Sequence, residues 1–155
     1  MRLARIRRFL AVTALALWQG GFTFYAGFVV PIGQRVLGSH IVQGFITREV
    51  TLWLNAVGGA ALVPLAWELL STRQKPGGFV QLACGALLAL GLAALWFLHG
   101  QMDAHLDLVE RRILDREAFY LLHRVYLWIS TAQWATAGVL TWSMLGRPIP
   151  EREET

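Results

Sequence analysis

Four long apolar runs constrain what this chain can fold into more than any other feature of its sequence. They cover about residues 9–30, 50–70, 79–98 and 119–145. A helix rises 1.5 Å per residue, so each run can extend over about 30 Å, the thickness of the hydrocarbon core of a bilayer. The sequence therefore predicts an all-α fold: an integral membrane four-helix bundle with up-down antiparallel neighbours, in a single transmembrane domain over residues 1–155.

The composition fits a protein that folds in lipid. Of the 155 residues, 55% are hydrophobic and 15% are charged, and the mean hydropathy is +0.47. Soluble domains carry about 25% charged residues, and disordered chains are far less apolar than this one. The single cysteine excludes an intrachain disulfide framework of the kind that small secreted proteins use. The sequence is therefore that of a small membrane protein.

The distribution of charge predicts how the chain is oriented. Four of the fourteen basic residues precede the first apolar run: Arg2, Arg5, Arg7 and Arg8. Such a cluster keeps an N-terminus in the cytoplasm, so we expect both termini there, in a bacterial inner membrane, with the connections 31–49 and 99–118 outside. Glu68 is expected to snorkel to the inner interface beside Arg73. The basic residues form no patch with interleaved aromatic residues, which argues against a nucleic-acid partner.

Polar residues recur along one face of the fourth run. Steps of four, three, four and three residues, which draw one stripe on a helix, separate Phe119, His123, Tyr126, Ser130 and Gln133. Polar groups are costly in hydrocarbon, so this stripe should face other helices. The sequence predicts an interhelical polar track in which Gln19 and Gln133 meet or share a water; its members are Gln19, Thr23, Asn55, Ser130 and Gln133. The track is interpreted as interhelical hydrogen bonding, and the alternative is a path for an ion or a small solute.

The connection at 99–118 holds the densest group of residues whose side chains can bind a metal ion or transfer a proton. Its apolar residues recur at helical spacing, so it is predicted to be partly helical, and one stripe of that helix would carry His99, Asp103, Asp107 and Glu110. Imidazole and carboxylate groups bind divalent transition metals where three or more converge. With a histidine added from the start of the fourth helix, the candidate metal ligands are His99, Asp103, Asp107 and His123.

None of these residues forms a recognised catalytic or cofactor motif. The alternative to a metal site is a solvated helix face held by an ion pair between Asp107 and Arg111. A haem with two histidine ligands would need them inside the bundle, whereas His99 and His123 are expected at its rim. Ser130 shares a helix face with His123 but has no orienting acid. We therefore predict no catalytic residues, no enzyme activity and no cofactor, apart from the candidate transition metal.

Two segments carry a resemblance to a known family. They are GFTFYAGFVVP at residues 21–31 and FYLLHR at residues 119–124, accompanied by Tyr126, Ser130 and Gln133. The chain resembles the transmembrane-protein-205-like family, some bacterial members of which are known as a domain of unknown function. The resemblance covers about residues 10–145. It implies four spans, a first helix rich in aromatic residues and glycine, and an FYxxH entry to the last helix, and it implies no established reaction.

Two functions follow as expectations. The first is a non-enzymatic structural or accessory component of the membrane, whose partners are the lipid bilayer and either further copies of this chain or a membrane complex, through glycine-rich helix faces. The alternative is a protein that transports or handles a metal ion or a small solute. It would use His99, Asp103, Asp107 and His123 as the entry site, and the polar track as the path.

Overall fold

The chain folds almost entirely into helices. The computed structural model describes residues 2–74 and 77–146. The helices are α1 (Arg2–Phe24), α2 (Val30–Leu37), α3 (His40–Thr72), α4 (Gly78–Asp103) and α5 (Arg116–Leu145), with a π-helical turn (Tyr25–Val29) between α1 and α2. Two short strands, β1 (Leu106–Asp107) and β2 (Arg112–Ile113), form an antiparallel hairpin before α5. The all-α prediction is confirmed.

The first outer connection is much shorter than the sequence predicted. The π-helical turn joins α1 to α2, and Pro31 lies in the first turn of α2, where a missing backbone N–H is tolerated. Helix α2 ends at Gly38, whose φ of 62° favours glycine, and the Ser39 hydroxyl caps α3 by accepting a hydrogen bond of 3.3 Å from the Val42 N–H. The prediction of a long connection over 31–49 is therefore wrong.

The second outer connection differs from its prediction too. Helix α4 extends to Asp103, but the chain then turns into the hairpin, so the stripe predicted to continue through Asp107 and Glu110 is wrong. The physical cause is local. The Asp107 carboxylate accepts hydrogen bonds from the backbone N–H groups of Val109 and Glu110, and this turn competes with a helix for the same donors.

Three continuous helices in the described part of the chain are long and apolar enough to cross a membrane. They are Arg2–Leu37, His40–Thr72 and Gly78–Asp103. Helix α5 has 30 residues, which is long enough, but it is not among the three. Its mean hydropathy is reduced by the polar stripe that the sequence analysis identified. The structure therefore fits a multi-pass membrane protein.

Helices that follow one another in the chain pack against one another. The main contacts join α1 with α3, α3 with α4, and α4 with α5, and α1 also touches α5. We call the end with the β1–β2 hairpin the hairpin end, and the opposite end, where Arg7 and Glu68 lie, the terminal end. The terminal half is filled by an apolar core of Ala11, Leu15, Trp18, Ala61, Leu65, Leu69, Leu88, Leu92, Ala137, Leu140 and Met144.

One glycine lies under an aromatic ring of this core. A Cβ atom at Gly58 would lie 2.6 Å from Trp18 Cε2, which is too close for a carbon–carbon contact. Gly58 therefore lets the indole of Trp18 lie directly on the backbone of α3. Gly20 has open space instead, with no atom within 4 Å of a Cβ placed there. Not every glycine of the sequence therefore serves helix packing within the bundle.

Candidate functional site

A cavity of about 640 Å³ lies at the hairpin end, between the α1–α2 helix, α3, α4 and α5. This volume is in the range of sites that bind small molecules. Its apolar wall includes Phe22, Val30, Phe45, Met102, Phe119 and Leu127, and its polar wall includes Tyr25, Gln43, Thr47, Arg48, Thr51, His99, Asp103, His123, Tyr126 and Ser130. We call it the hairpin-end cavity.

An ion pair closes one side of the hairpin-end cavity. Arg48 on α3 donates two hydrogen bonds to Asp103 on α4, from Nε to Oδ1 at 2.6 Å and from Nη2 to Oδ2 at 2.7 Å. Arg48 Nη1 also donates to the Glu49 carboxylate. This two-point geometry is the strongest form of an arginine–carboxylate contact. The guanidinium charge is thus neutralised by partners from the protein itself.

His99 is the one described residue of the cavity wall whose polar side chain is both buried and without a partner. It lies one turn before Asp103 on α4 and is 6% exposed. Neither Nδ1 nor Nε2 has a hydrogen-bond partner among the residues described. The distance from Nε2 to Asp103 Oδ2 is 3.9 Å, which is beyond a hydrogen bond. Buried polar groups nearly always have a partner, so this unpaired imidazole marks a place in the cavity wall where a polar group can bind.

A hydrogen-bonded cluster lines the opposite wall. The Tyr25 hydroxyl, in the π-helical turn, donates to Thr47 Oγ1 at 3.0 Å, and Gln43 Nε2 donates to the Tyr25 hydroxyl oxygen at 3.5 Å. Gln43 is buried, and its side chain occupies the space that a Cβ at Gly33 would need. Tyr25 is the buried residue of the π-helical turn, so this turn contributes a hydroxyl to the cavity wall.

The floor of the hairpin-end cavity is also polar. Asn55 Nδ2 donates to the Tyr126 hydroxyl oxygen at 3.0 Å, and the Ser130 hydroxyl donates to the Tyr126 carbonyl at 2.9 Å. Thr51, Tyr126 and Ser130 line both this cavity and a smaller one of about 30 Å³ beneath it. The smaller cavity has room for a water and is also lined by Gln19 and Gln133.

The polar track predicted from the sequence connects helices through backbone groups. Gln19 Nε2 donates to the Trp134 carbonyl and Gln133 Nε2 to the Leu88 carbonyl, both at 2.8 Å. Thr23 Oγ1 accepts from the indole N–H of Trp134 at 2.9 Å. The two glutamine amides therefore bind different carbonyls, while both side chains line the small cavity. A water shared by them stays a prediction.

The four candidate metal ligands do not share one position. His99 and Asp103 lie one turn apart on α4, and His123 lines the same cavity with its ring stacked on Phe119. Asp107 is in the hairpin, where its carboxylate is used by backbone N–H groups and by Arg112. In residues 2–74 and 77–146, no three His, Cys, Asp or Glu side chains are arranged to hold a metal ion.

Two ion pairs between helices were missed by the sequence analysis. The prediction that Glu68 reaches the interface beside Arg73 is wrong: Glu68 is 3% exposed and accepts a hydrogen bond of 2.5 Å from Arg7 Nε. The other missed pair is Arg48 with Asp103. Little in the sequence indicated either pair, because the two partners are more than fifty positions apart. The only indication was a charged residue at the end of a predicted span.

The smaller cavity does not continue through the bundle. Beyond it lies the apolar core of the terminal half, where Leu15, Leu65, Leu88 and Leu140 are fully buried. The described site is therefore a blind cavity with one polar end, and not a continuous polar path. Comparison with protein-family models, with curated proteins and with solved structures finds no match.

Proposed function

We propose that this protein is a multi-pass membrane protein that binds a small molecule in its hairpin-end cavity. The observation that carries the proposal is the buried imidazole of His99, in the wall of a cavity of about 640 Å³. Within residues 2–74 and 77–146, neither of its ring nitrogens has a hydrogen-bond partner. A ligand in the cavity would supply that partner. Leaving buried polar atoms unpaired costs free energy, so a bound ligand would also stabilise the protein.

A fourth span is part of the proposal. Helix α5 is not among the three helices that are long and apolar enough to cross a membrane, but no Asp, Glu, Lys or Arg occurs in residues 125–145. This stretch covers about 30 Å as a helix. Its polar side chains Ser130 and Gln133 are buried against other helices, which removes the main cost of placing α5 in lipid.

Contacts between helices support an up-down bundle. Along α1 and α3, Tyr25 contacts Thr47 and Arg7 contacts Glu68, so the two numberings run in opposite directions. Helices α4 and α5 also run in opposite directions, because Gln133 contacts Leu88 while Gln81 contacts Ser143. The N-terminal arginine cluster favours a cytoplasmic terminal end, with the hairpin-end cavity outside, in a bacterial inner membrane. The C-terminal residues 147–155, also predicted to be cytoplasmic, lie outside the described residues.

Binding is favoured over conduction and over metal handling. The cavity is closed towards the terminal end by the apolar core, which leaves a solute no polar path. Metal binding would need a third ligand beside His99 and Asp103, and Asp103 is already held by Arg48. We therefore propose a binding protein without catalytic activity.

Assembly with a partner is a separate proposal. Glycine-rich faces predicted a homo-oligomer or a membrane complex, and the structure divides the glycines into two sets. The side chains of Trp18 and Gln133 pack against Gly58 and Gly91 of the same chain. At Gly20 and Gly27, no atom of the described residues lies within 4 Å of an added Cβ. The second set leaves room for a partner helix along α1 and the π-helical turn that follows it.

The binding proposal is tested by identifying small molecules that stay with the protein. The chain is extracted from membranes in polymer-bounded lipid discs and examined by native mass spectrometry, as the parent, as His99→Ala and as Gln81→Ala. Gln81 is a matched control, because it is a buried polar residue of α4 with an unpartnered Oε1 but does not line the cavity.

The expected result is an additional mass on the parent and on Gln81→Ala that is absent from His99→Ala. Circular dichroism verifies that all three proteins are equally helical. The same additional mass on all three, or on none of them, contradicts binding at His99.

A further inference from the structure

Resting on the proposed function, we infer that the ligand of the hairpin-end cavity is an uncharged amphiphile with a hydroxyl-type head and an apolar chain, which enters sideways from the bilayer. The wall of the cavity fixes the kind of ligand, and the position of its opening fixes the route. Each part rests on different residues.

The charged side chains of the cavity wall exclude an ionic head group. Arg48 and Asp103 form a two-point ion pair, with donor–acceptor distances of 2.6 Å and 2.7 Å, and Glu49 also binds Arg48. An anionic head would have to compete with Asp103 for the guanidinium, and a cationic head would have to compete with Arg48. Desolvating an ion without a new partner is costly, so an uncharged head is favoured.

His99 defines what the head group must offer. A neutral imidazole has one N–H donor and one acceptor nitrogen, and both positions of His99 are without a partner among the described residues. A hydroxyl group can donate one hydrogen bond and accept another, so it satisfies either nitrogen. The apolar body of the ligand would lie against Phe22, Phe45 and Met102, which line the same cavity.

The opening of the cavity is marked by residues that line it and are also exposed. They are Ala26 of the π-helical turn, His40, Ile41 and Gly44 at the start of α3, and Tyr120 and Leu127 of α5, of which the last two are 53% and 50% exposed. The opening therefore includes the gap between the α1–α2 helix at Ala26 and α5 at Leu127, two helices that are not neighbours in the chain.

The depth of this opening places part of it at the level of lipid tails. Leu127 follows Tyr126, whose hydroxyl is bonded to Asn55, and Asn55 is about 10 Å along α3 from the Arg48 ion pair towards the terminal end. The hydrogen bonds of Trp134 with Gln19 and Thr23 close the gap between α1 and α5 at its deep end. An amphiphile can therefore keep its chain in the bilayer while its head moves between the helices.

The test uses three photoreactive probes with the same twelve-carbon chain and a hydroxyl, a carboxylate or a quaternary ammonium head. The intact protein in lipid discs is labelled with each probe, with and without a large excess of the matching probe that lacks the photoreactive group. Cross-linked peptides are identified by mass spectrometry. Only labelling of cavity residues that the excess removes is counted.

We expect the hydroxyl probe to label the cavity about tenfold more than either charged probe. His99→Ala should lower labelling by the hydroxyl probe about tenfold, which corresponds to the free energy of one hydrogen bond. Gln81→Ala should label as the parent does. Stronger labelling by a charged probe, still dependent on His99, would overturn the inference while supporting the binding proposal. Absence of competed labelling by all three probes would overturn the inference as well, and the native mass spectra would then decide the binding proposal separately.

The route is tested by filling the opening. The double variant Ala26→Trp/Leu127→Trp should slow labelling by the hydroxyl probe by about tenfold or more, whereas Ala86→Trp, at an exposed position of α4 outside the cavity wall, should not. An unchanged labelling rate in the double variant would overturn sideways entry.

Discussion

Arg48 and Glu68 lie about 30 Å apart along α3, and each forms an ion pair with a different neighbouring helix. Arg48 binds Asp103 of α4 at the hairpin end, and Glu68 binds Arg7 of α1 at the terminal end. No charged residue occurs in positions 50–67 between them. Since 30 Å is the thickness of the hydrocarbon core, the two ion pairs match the two surfaces of the proposed membrane.

At the terminal end, removing one partner of the ion pair should destabilise the protein more than removing both partners. Replacing Glu68 by leucine leaves the side chain of Arg7, which is 12% exposed, without its carboxylate, so we expect a loss of about 3 kcal/mol in the free energy of unfolding. The double variant Arg7→Met/Glu68→Leu removes both charges and should recover most of that loss. Unfolding in mixed micelles with increasing dodecyl sulfate measures both values. A double variant as unstable as the single one would show that the charges contribute little.

The contact between Gly58 and Trp18 gives a second prediction. Gly58→Ala places a methyl group 2.6 Å from Trp18 Cε2, and the indole has to shift within a packed core, so we expect a loss of about 2 kcal/mol. Gly20→Ala is the matched control, because Gly20 is also in a helix but an added Cβ there has no atom of the described residues within 4 Å. Since alanine is about 1 kcal/mol more favourable than glycine in a helix, this variant should not be destabilised. Thermal unfolding in one detergent compares the two. Equal stability of both variants would contradict the tight packing at Gly58.

The sequence contained enough information for the helices but not for their ends. The apolar runs located all four long helices, because a run of about twenty apolar residues indicates a long helix without any knowledge of its neighbours. Pro31 suggested that the first helix stops, whereas a π-helical turn before it lets the helix continue to Leu37. Asp107 was placed on a helix because its neighbours have helical spacing, yet its carboxylate binds two backbone N–H groups and favours a turn.

The candidate site could be predicted only in part. His123 and Ser130 were recognised because polar residues are rare in apolar runs, and His99 because it begins a connection rich in histidine and carboxylate residues; all three line the hairpin-end cavity. The cavity itself is lined by helices that are distant from one another in the sequence, and no local pattern records how they pack. The pairing of Arg48 with Asp103 likewise depends on helices that are distant in the sequence, so periodicity could not reveal it.

The hairpin should open in acid. The hydrogen bond from the Glu110 N–H lowers the pKa of Asp107 below its ordinary value, together with Arg112 and the Val109 N–H and against the effect of desolvation. A carboxyl whose pKa is lowered in the folded state stabilises the fold above the unfolded pKa of about 4, and this contribution is lost as the pH falls through the lower, folded pKa.

We therefore expect backbone protection in residues 105–114 to be constant from pH 7 to pH 5 and to fall below about pH 4. Hydrogen–deuterium exchange, corrected for the intrinsic effect of pH on exchange, measures it. Asp107→Asn should have lower protection at pH 7 and no further loss in acid. A parent hairpin whose protection does not change down to pH 2 would contradict the role of the carboxylate.

The proposed topology predicts which cysteines a membrane-impermeant reagent can reach. In a Cys84→Ala background, Val109→Cys places a thiol in the hairpin, at a position where the side chain is 90% exposed, and Ser71→Cys places one at an exposed position near the end of α3. Because the hairpin end is proposed to face outward, a charged maleimide should label residue 109 in intact bacterial cells, and residue 71 only after the membrane is opened. The reverse pattern would invert the orientation, and labelling of both positions in intact cells would show that α4, the helix between them, does not cross the membrane.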